Sequence, residues 1–246
     1  LTLHHQKTKL FAWIQKQNRI PYSNKAKLIE KDNKHYYQTL QGHIYPSATT
    51  MLSATMPEEK KKGLQEWRQR VGEQQADEIS KRATDIGTLL HNMAEKYLNN
   101  FEINYENNSK DDEITTTVIN HFKQLQPFLN KINMVWETEV PLYHKDLMLS
   151  GTSDCIGEYD YIPSIIDFKT SKKEKYEEWI EDYFLQATLY SMMYFHLTGI
   201  KISQIVILIS GEEDGSATHY VKRIDGYVDS LFKRIAEFNI LEATRK

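Results

Sequence analysis

The chain has a single cysteine, Cys155, in 246 residues. One thiol cannot close an internal disulfide. Nor can it supply the four cysteines of a thiolate zinc or iron–sulfur site. An intracellular, reducing home is the expectation that follows. No apolar run reaches the roughly 18 residues of a membrane-spanning helix. The opening "LTLHHQKTKLFAWIQ" lacks the apolar block and small-residue cleavage site of a secretory signal. It also lacks an initiator methionine, which fits a trimmed chain or a fragment. There is no excess of positive charge: 31 Lys and Arg stand against 34 Asp and Glu, for a net charge of −3. The strongly basic balance of many nucleic-acid-binding domains is therefore missing. Local charge and bound metal ions still decide whether such a surface can meet a polyanion. Neither an internal repeat nor a low-complexity linker is present. What remains is ordinary globular composition, 40% hydrophobic and 26% charged, long enough for one large or two small domains with a real core.

Hydrophobic periodicity predicts the elements in order. Residues 1–20 read as a short helix with Leu10, Phe11 and Ile14 on one side. "KLIEKDNKHYYQTLQGHIYPS" reads as a small hairpin, with Asp32-Asn33 and Gln41-Gly42 as turn signals. In "YPSATTML", Ser47 or Thr49 is placed to cap a helix. Residues 58–99 are helical in pattern and rich in charge, and 100–113 read as a polar loop. A helix over 113–131 puts Val118, Phe122, Leu125 and Leu129 on one side. Three strands follow: "MVWETEVPLY", "LMLSGTSDCIGEY" and "SIIDFKTS", the last two joined by the short "DYIP". A long helix over about 176–197 stops at Gly199. The buried strand "ISQIVILIS", a short strand "THYVKRI" and a closing helix complete the chain. The expected class is α/β, a mixed sheet flanked by helices.

One stretch breaks its own pattern. "SIIDFKTSK" begins apolar and then sets Asp167 and Lys169 two residues apart. In a strand, residues i and i+2 share a face, so these two project together while Phe168 points into a core. A hairpin centred near Tyr161 and Ile162 puts Asp154 opposite Lys169. Any odd-sum register puts Asp154 on the same face as both charged residues. Two carboxylates and an ammonium then converge. Neighbouring carboxylates repel unless a cation neutralises them, and an oxygen-rich set of this kind suits Mg²⁺ or Mn²⁺. A surface ion pair fits the Asp-x-Lys spacing equally well, though the apolar neighbours argue for burial. Upstream, "GTLLH" sets Gly87 and His91 on one helix stripe, at the edge of the apolar face of Ile86, Leu90, Met93, Ala94 and Tyr97. A lone histidine there is usually a core residue. Downstream, "QATLY" sets Gln186 and Tyr190 one turn apart, which core packing alone would also explain.

Four short motifs in this order carry a resemblance. "GTLLH" (87–91), "GTSD" (151–154), "DFKT" (167–170) and "QATLY" (186–190) resemble the motif series of the RecB-like PD-(D/E)XK nucleases. "YPSATTML", a Trp-containing helix and "GTLLH" are similar to the group of the mitochondrial genome maintenance exonuclease and its bacterial and phage relatives. The resemblance implies a PD-(D/E)XK core and a metal-dependent exonuclease on single-stranded DNA. It implies His91, Asp154 and Asp167 as ligands of one or two divalent ions, Mg²⁺ or Mn²⁺, helped by the Phe168 carbonyl. Lys169 would position the attacking water and offset charge on the phosphate, with Gln186 and Tyr190 orienting it or the backbone of the nucleic acid. Thr170, Ser171 and Lys172 would donate to phosphates. In the branch with an iron–sulfur cluster four cysteines hold it, so no cluster is expected here. The acid of the acid-x-lysine motif is commonly glutamate, and Asp167 shortens its reach.

The expected organisation is one nuclease domain over 1–246. Residues 1–85 form an N-terminal hairpin and helical extension guiding DNA, and 86–246 form the catalytic core. Ser47, Thr49, Trp67, Arg68 and Arg82 are the candidates to guide a single strand, against the plainer alternative of a solvated helical face with Trp67 in the core. Single-stranded DNA is the expected partner, with replication or recombination proteins as candidate protein partners and no membrane. The compartment would be the cytoplasm of a bacterium or phage host, or the mitochondrial matrix in a eukaryote. Two alternatives stay open: a PD-(D/E)XK endonuclease on duplex DNA, and a non-catalytic nucleic-acid-binding module on the same scaffold.

Overall fold

The computed structural model describes residues 9–15, 19–21, 26–31, 34–103, 113–213 and 215–244. A six-stranded mixed sheet runs through the molecule in the order β1-β5-β6-β7-β8-β9. These strands are β1 (Ala12–Trp13), β5 (Ile132–His144), β6 (Leu149–Tyr159), β7 (Ile162–Ser171), β8 (Gln204–Gly211) and β9 (Ala217–Arg223). The β1/β5 and β7/β8 pairs are parallel and the others antiparallel. A separate three-stranded sheet holds β2 (Lys27–Lys31), β3 (Lys34–Gln38) and β4 (Ile44–Pro46). Six α-helices are described: α1 (Ala48–Ala54), α2 (Glu58–Val71), α3 (Glu73–Leu98), α4 (Glu113–Leu129), α5 (Glu181–Thr198) and α6 (Val228–Thr244). This mixed sheet flanked by helices is the expected α/β class and carries a PD-(D/E)XK-like core. No helix among the described residues is long and apolar enough to cross a membrane.

The sheet separates two apolar layers. On one side α3 and α4 contribute Ile86, Leu90, Tyr97, Phe122 and Leu125, packed against Cys155, Ile166 and Phe168 of the strands. On the other side α1, α5 and α6 contribute Met51, Leu189, Tyr194 and Phe238 against Ile156, Ile165 and Ile207. Alternation along β7 is therefore strict. Ile165 faces α5, Ile166 faces α3, Asp167 faces α5 and Phe168 faces α3. Each fully buried Ile or Phe contributes about 1.5–3 kcal/mol, so β7 is firmly anchored on both faces.

Local chemistry explains most boundaries. Ser47 caps α1, its Oγ accepting the Thr50 N–H at 3.0 Å. Gly42 turns β3 into β4 with φ 86°, while Asp32 and Asn33 lie outside the described residues. Gly199 ends α5 in the left-handed region, at φ 73°. The β6–β7 hairpin closes on Asp160 and Tyr161, φ 49° and 67°, flanked by the Tyr159–Ile162 pair. Two consecutive positive φ values are the mark of the turn that best matches strand twist.

Four expectations are revised. Over the described residues 9–15 there is no helix. Phe11 is buried against Tyr97, and Ala12–Trp13 pair in parallel with Met134 and Val135, so the open edge of β5 overrides a weak local helix pattern. The charged helical segment breaks in two at Gly72, φ 89°. Trp67 is half-buried on α2, a helix with no buried residue, and not in the core. The hairpin register is also shifted. Cys155 pairs with Ile166, which brings Asp154 level with Asp167 and not with Lys169. The sum stays odd, so all three still share a face.

Candidate active site

The site lies where β5, β6 and β7 meet α3 and α5. Asp154 sits on β6 and is buried. Its Oδ2 accepts the Phe168 N–H at 2.8 Å, and its Oδ1 lies 3.5 Å from His91 Nδ1. His91 reaches from α3, with Nε2 2.8 Å from the Phe168 carbonyl. When that nitrogen carries the proton it donates to the carbonyl, and the Nδ1 lone pair then faces the carboxylates. The Phe168 ring meets the His91 ring edge-on at 6.0 Å. "GTLLH" thus delivers its histidine to the backbone of the acid-x-lysine strand.

A residue that the motif reading missed completes the group. Glu139 of β5 lies with its Oε1 3.7 Å from His91 Nδ1. His91, Glu139 and Asp154 each present a donor atom within 4.8 Å of the others, close enough for one metal ion to reach all three. Glu139 has φ 42°, unusual for a residue with a Cβ, and such backbone costs of order 1 kcal/mol. The sequence did carry a signal: "WETEV" places two acids on one face of an otherwise apolar strand. Only Glu139 turns to the site. Glu137 is buried and accepts the Ile20 N–H at 2.6 Å.

Asp167 stands apart from that trio. It is 2% exposed and forms an ion pair with Lys169, Nζ to Oδ2 at 2.6 Å. Lys169 also lies 5.2 Å over the ring of Tyr183, a second residue the motifs did not flag. On α5, Gln186 Nε2 donates to Tyr190 Oη at 2.7 Å. The Tyr190 ring fills the space over Gly151, where an added Cβ would meet its Cε1 at 2.5 Å. That contact is the physical reason for a glycine three residues before Asp154. Thr152 Oγ1 is 2.7 Å from Tyr37 Oη, tying the small sheet to β6.

Electrostatics mark the pocket as short of positive charge. Burial first, and Asp154 next, push Glu139 up to about 7. Burial pushes Asp167 up to about 6, against the pull of Lys169. Burial disfavours charge on His91, yet Asp154 and Glu139 outweigh it and raise the imidazole above its ordinary value. Lys169 is raised as well, its burial overcome by Asp167 and Asp154. Three carboxylates share one ammonium that is already committed to Asp167. A divalent ion held by His91, Glu139 and Asp154 would relieve that imbalance.

The other candidates are scattered. Ser47 is buried in its capping role, 2.8 Å from the exposed Thr49 hydroxyl. Arg82 is held by Glu212 at 2.9 Å and Glu113 at 3.0 Å. Arg68 is held by Glu73 and Asp77. At the exit of β7, Thr170 is half-buried, Ser171 donates to the Lys173 carbonyl and Lys172 is exposed.

The fold carries a PD-(D/E)XK-like core, and the site sets an acid-x-lysine strand beside a second acid and a helix-borne histidine. The chain is similar to mitochondrial genome maintenance exonuclease 1 of Homo sapiens, 28% identical over 188 residues, which covers 73% of this chain and 53% of that protein. It is 29% identical to the Xenopus tropicalis protein of that name over 182 residues, covering 71% and 50%. Against the Mus musculus protein the figures are 30% over 140 residues, covering 55% and 40%. This chain spans about half the length of these relatives or less. No protein-family model matches it.

Proposed function

We propose that this chain is a divalent-metal-dependent exonuclease that hydrolyses phosphodiester bonds of single-stranded DNA. The observation that carries the reading is the convergence of His91, Glu139 and Asp154 beside the Asp167–Lys169 pair. The exonuclease names of the relatives support the reaction class.

When bound, a divalent ion supplies a Lewis acid for the phosphate and acidifies an attacking water. His91, Glu139 and Asp154 would hold it, while Asp167 stays paired with Lys169. His91 keeps its proton on the Nε2 that meets Phe168, which leaves Nδ1 free to ligate. Lys169, braced by Asp167 and the face of Tyr183, stabilises negative charge growing on the phosphate oxygens. Gln186 and Tyr190 fix the wall beside Gly151, so the strand bearing Asp154 cannot drift. We further propose that Lys172, Thr170, Ser171 and Thr49 contact the DNA backbone, with Arg82 joining them only if its acidic partners release it. The work of such an enzyme lies in DNA replication, repair or recombination. In a eukaryote the mitochondrial matrix fits, and in a bacterium or phage host the cytoplasm.

The test is linear against closed circular single-stranded DNA, incubated with Mg²⁺ or with chelator. Loss of the linear substrate alone, and only with metal, is expected. Cutting of the circle would mean an endonuclease, and equal loss with chelator would remove the metal.

A further inference from the structure

We propose a second metal site, for a zinc-class divalent ion, formed by His144, Asp146 and His196. It shares no residue with the His91 group and is separate from the nuclease reading above.

The three ligands come from a strand end, the turn after it and a helix end. His144 is the last residue of β5, Asp146 lies in the turn that follows, and His196 sits in the last turn of α5. One donor atom from each lies within 4.8 Å of the others. The two imidazoles stack at 4.2 Å and 28°. Tyr143 meets His196 edge-on at 6.5 Å and supports the stack. The Leu147 N–H donates to His144 Nδ1 at 3.3 Å, which ties this ring to the turn that carries Asp146. An ion on Nδ1 displaces that long bond. An ion on Nε2 requires the proton to move to Nδ1, which also breaks it. Either route loses one weak hydrogen bond.

The chemistry selects the ion. Two imidazoles and one carboxylate favour Zn²⁺, Co²⁺, Ni²⁺ or Cu²⁺ over Mg²⁺ or Ca²⁺, which prefer all-oxygen sets. His196 lies at the C-terminal end of α5, where the helix dipole favours a cation. Lys145, adjacent in the turn, works against the ion, and Asp146 is the charge that answers it. Three protein ligands leave a position open, and His144 lines a cavity of about 650 Å³ walled by Leu147, Met192, Phe195 and Ile202. An ion here would pin the β5–β6 turn to α5, the helix that carries Gln186 and Tyr190.

The test uses the full 246-residue chain and Zn²⁺ alone. An Asp154→Asn background weakens the His91 group, and bound metal is counted by mass spectrometry after dialysis. That chain is expected to retain one equivalent of Zn²⁺ and to melt at higher temperature with it. Adding His144→Asn and His196→Gln should remove both effects. An Asp154→Asn chain that retains no zinc, or a triple variant that retains the full equivalent, overturns the proposal. If the triple variant does not fold, the exposed Asp146→Asn change takes its place. It should weaken zinc by about tenfold or more, and unchanged affinity overturns the proposal equally.

Discussion

Asp154→Asn in the metal-free protein should raise stability while abolishing metal-dependent cleavage. The substitution keeps the shape and leaves an amide oxygen to accept the Phe168 N–H, so the hydrogen bond at 2.8 Å survives. What it removes is one charge from a pocket holding three carboxylates. Donor atoms of Asp154 and Glu139 lie within 4.8 Å. Two full charges at that distance repel by about 3 kcal/mol at an effective dielectric near 20. Lost attraction to His91 and Lys169 offsets part of it, leaving about 1–2 kcal/mol, or roughly 2–8 °C in melting temperature for a chain of this size. The pH dependence has a fixed sign. A carboxyl raised from 4.5 to about 7, as Glu139 is, weakens the fold as pH climbs through that window. The advantage of the variant is therefore absent below about 4.5 and complete above about 7. Thermal melting with chelator, at about pH 5 and about pH 8, reads it. Saturating metal should reverse the order, since binding at a hundred times Kd stabilises the wild type by about 2.7 kcal/mol. A variant less stable than wild type without metal, at both pH values, would refute the reasoning and make Asp154 a structural acid.

Other outcomes follow from the same geometry. Gly151→Ala forces a Cβ to within 2.5 Å of the buried Tyr190 ring, which should cost about 1–3 kcal/mol in urea unfolding and lower activity together. An unchanged midpoint would show that Tyr190 can move. Arg234 on α6 is 8% exposed and bonds to Thr55, Asp182 and the Leu52 carbonyl. Arg234→Met should lose about 3 kcal/mol by calorimetry without touching the site. Mn²⁺ affinity should fall by up to about tenfold per pH unit below about 7, because Glu139 must lose its proton to ligate. Titration calorimetry at two pH values checks it, and flat affinity would remove Glu139 from the ligand set.

The legible parts of this molecule were those with a strict period. β7 and β8 announce themselves by apolar runs, α5 by its length and its closing Gly199, and the odd-sum register alone brings Asp154, Asp167 and Lys169 to one face. Asp-x-Lys could not reveal burial by itself. Placing Phe168, Ile165 and Ile166 in two opposite layers settles that the pair is held inside. Glu139 was harder, because "WETEV" offers two acids on one strand face and the positive φ that distinguishes Glu139 from Glu137 is not encoded by that alternation. Tyr183 and the shifted hairpin register depend on tertiary packing and on which two residues take the turn. The short strand β1 forms against the free edge of β5, a partner more than a hundred residues away, so local propensity misled.

The central claim rests on Lys169, the ammonium paired with Asp167 in the pocket, acting on a phosphate. The decisive measurement compares wild type and Lys169→Met on end-labelled linear single-stranded DNA, in Mn²⁺ and in chelator, with circular dichroism to verify folding. The account predicts cleavage by wild type in Mn²⁺ only, and a loss of at least about a hundredfold in the folded variant, the scale of removing a charge-stabilising group. Equal cleavage by both proteins, or none by wild type in either condition, would contradict it.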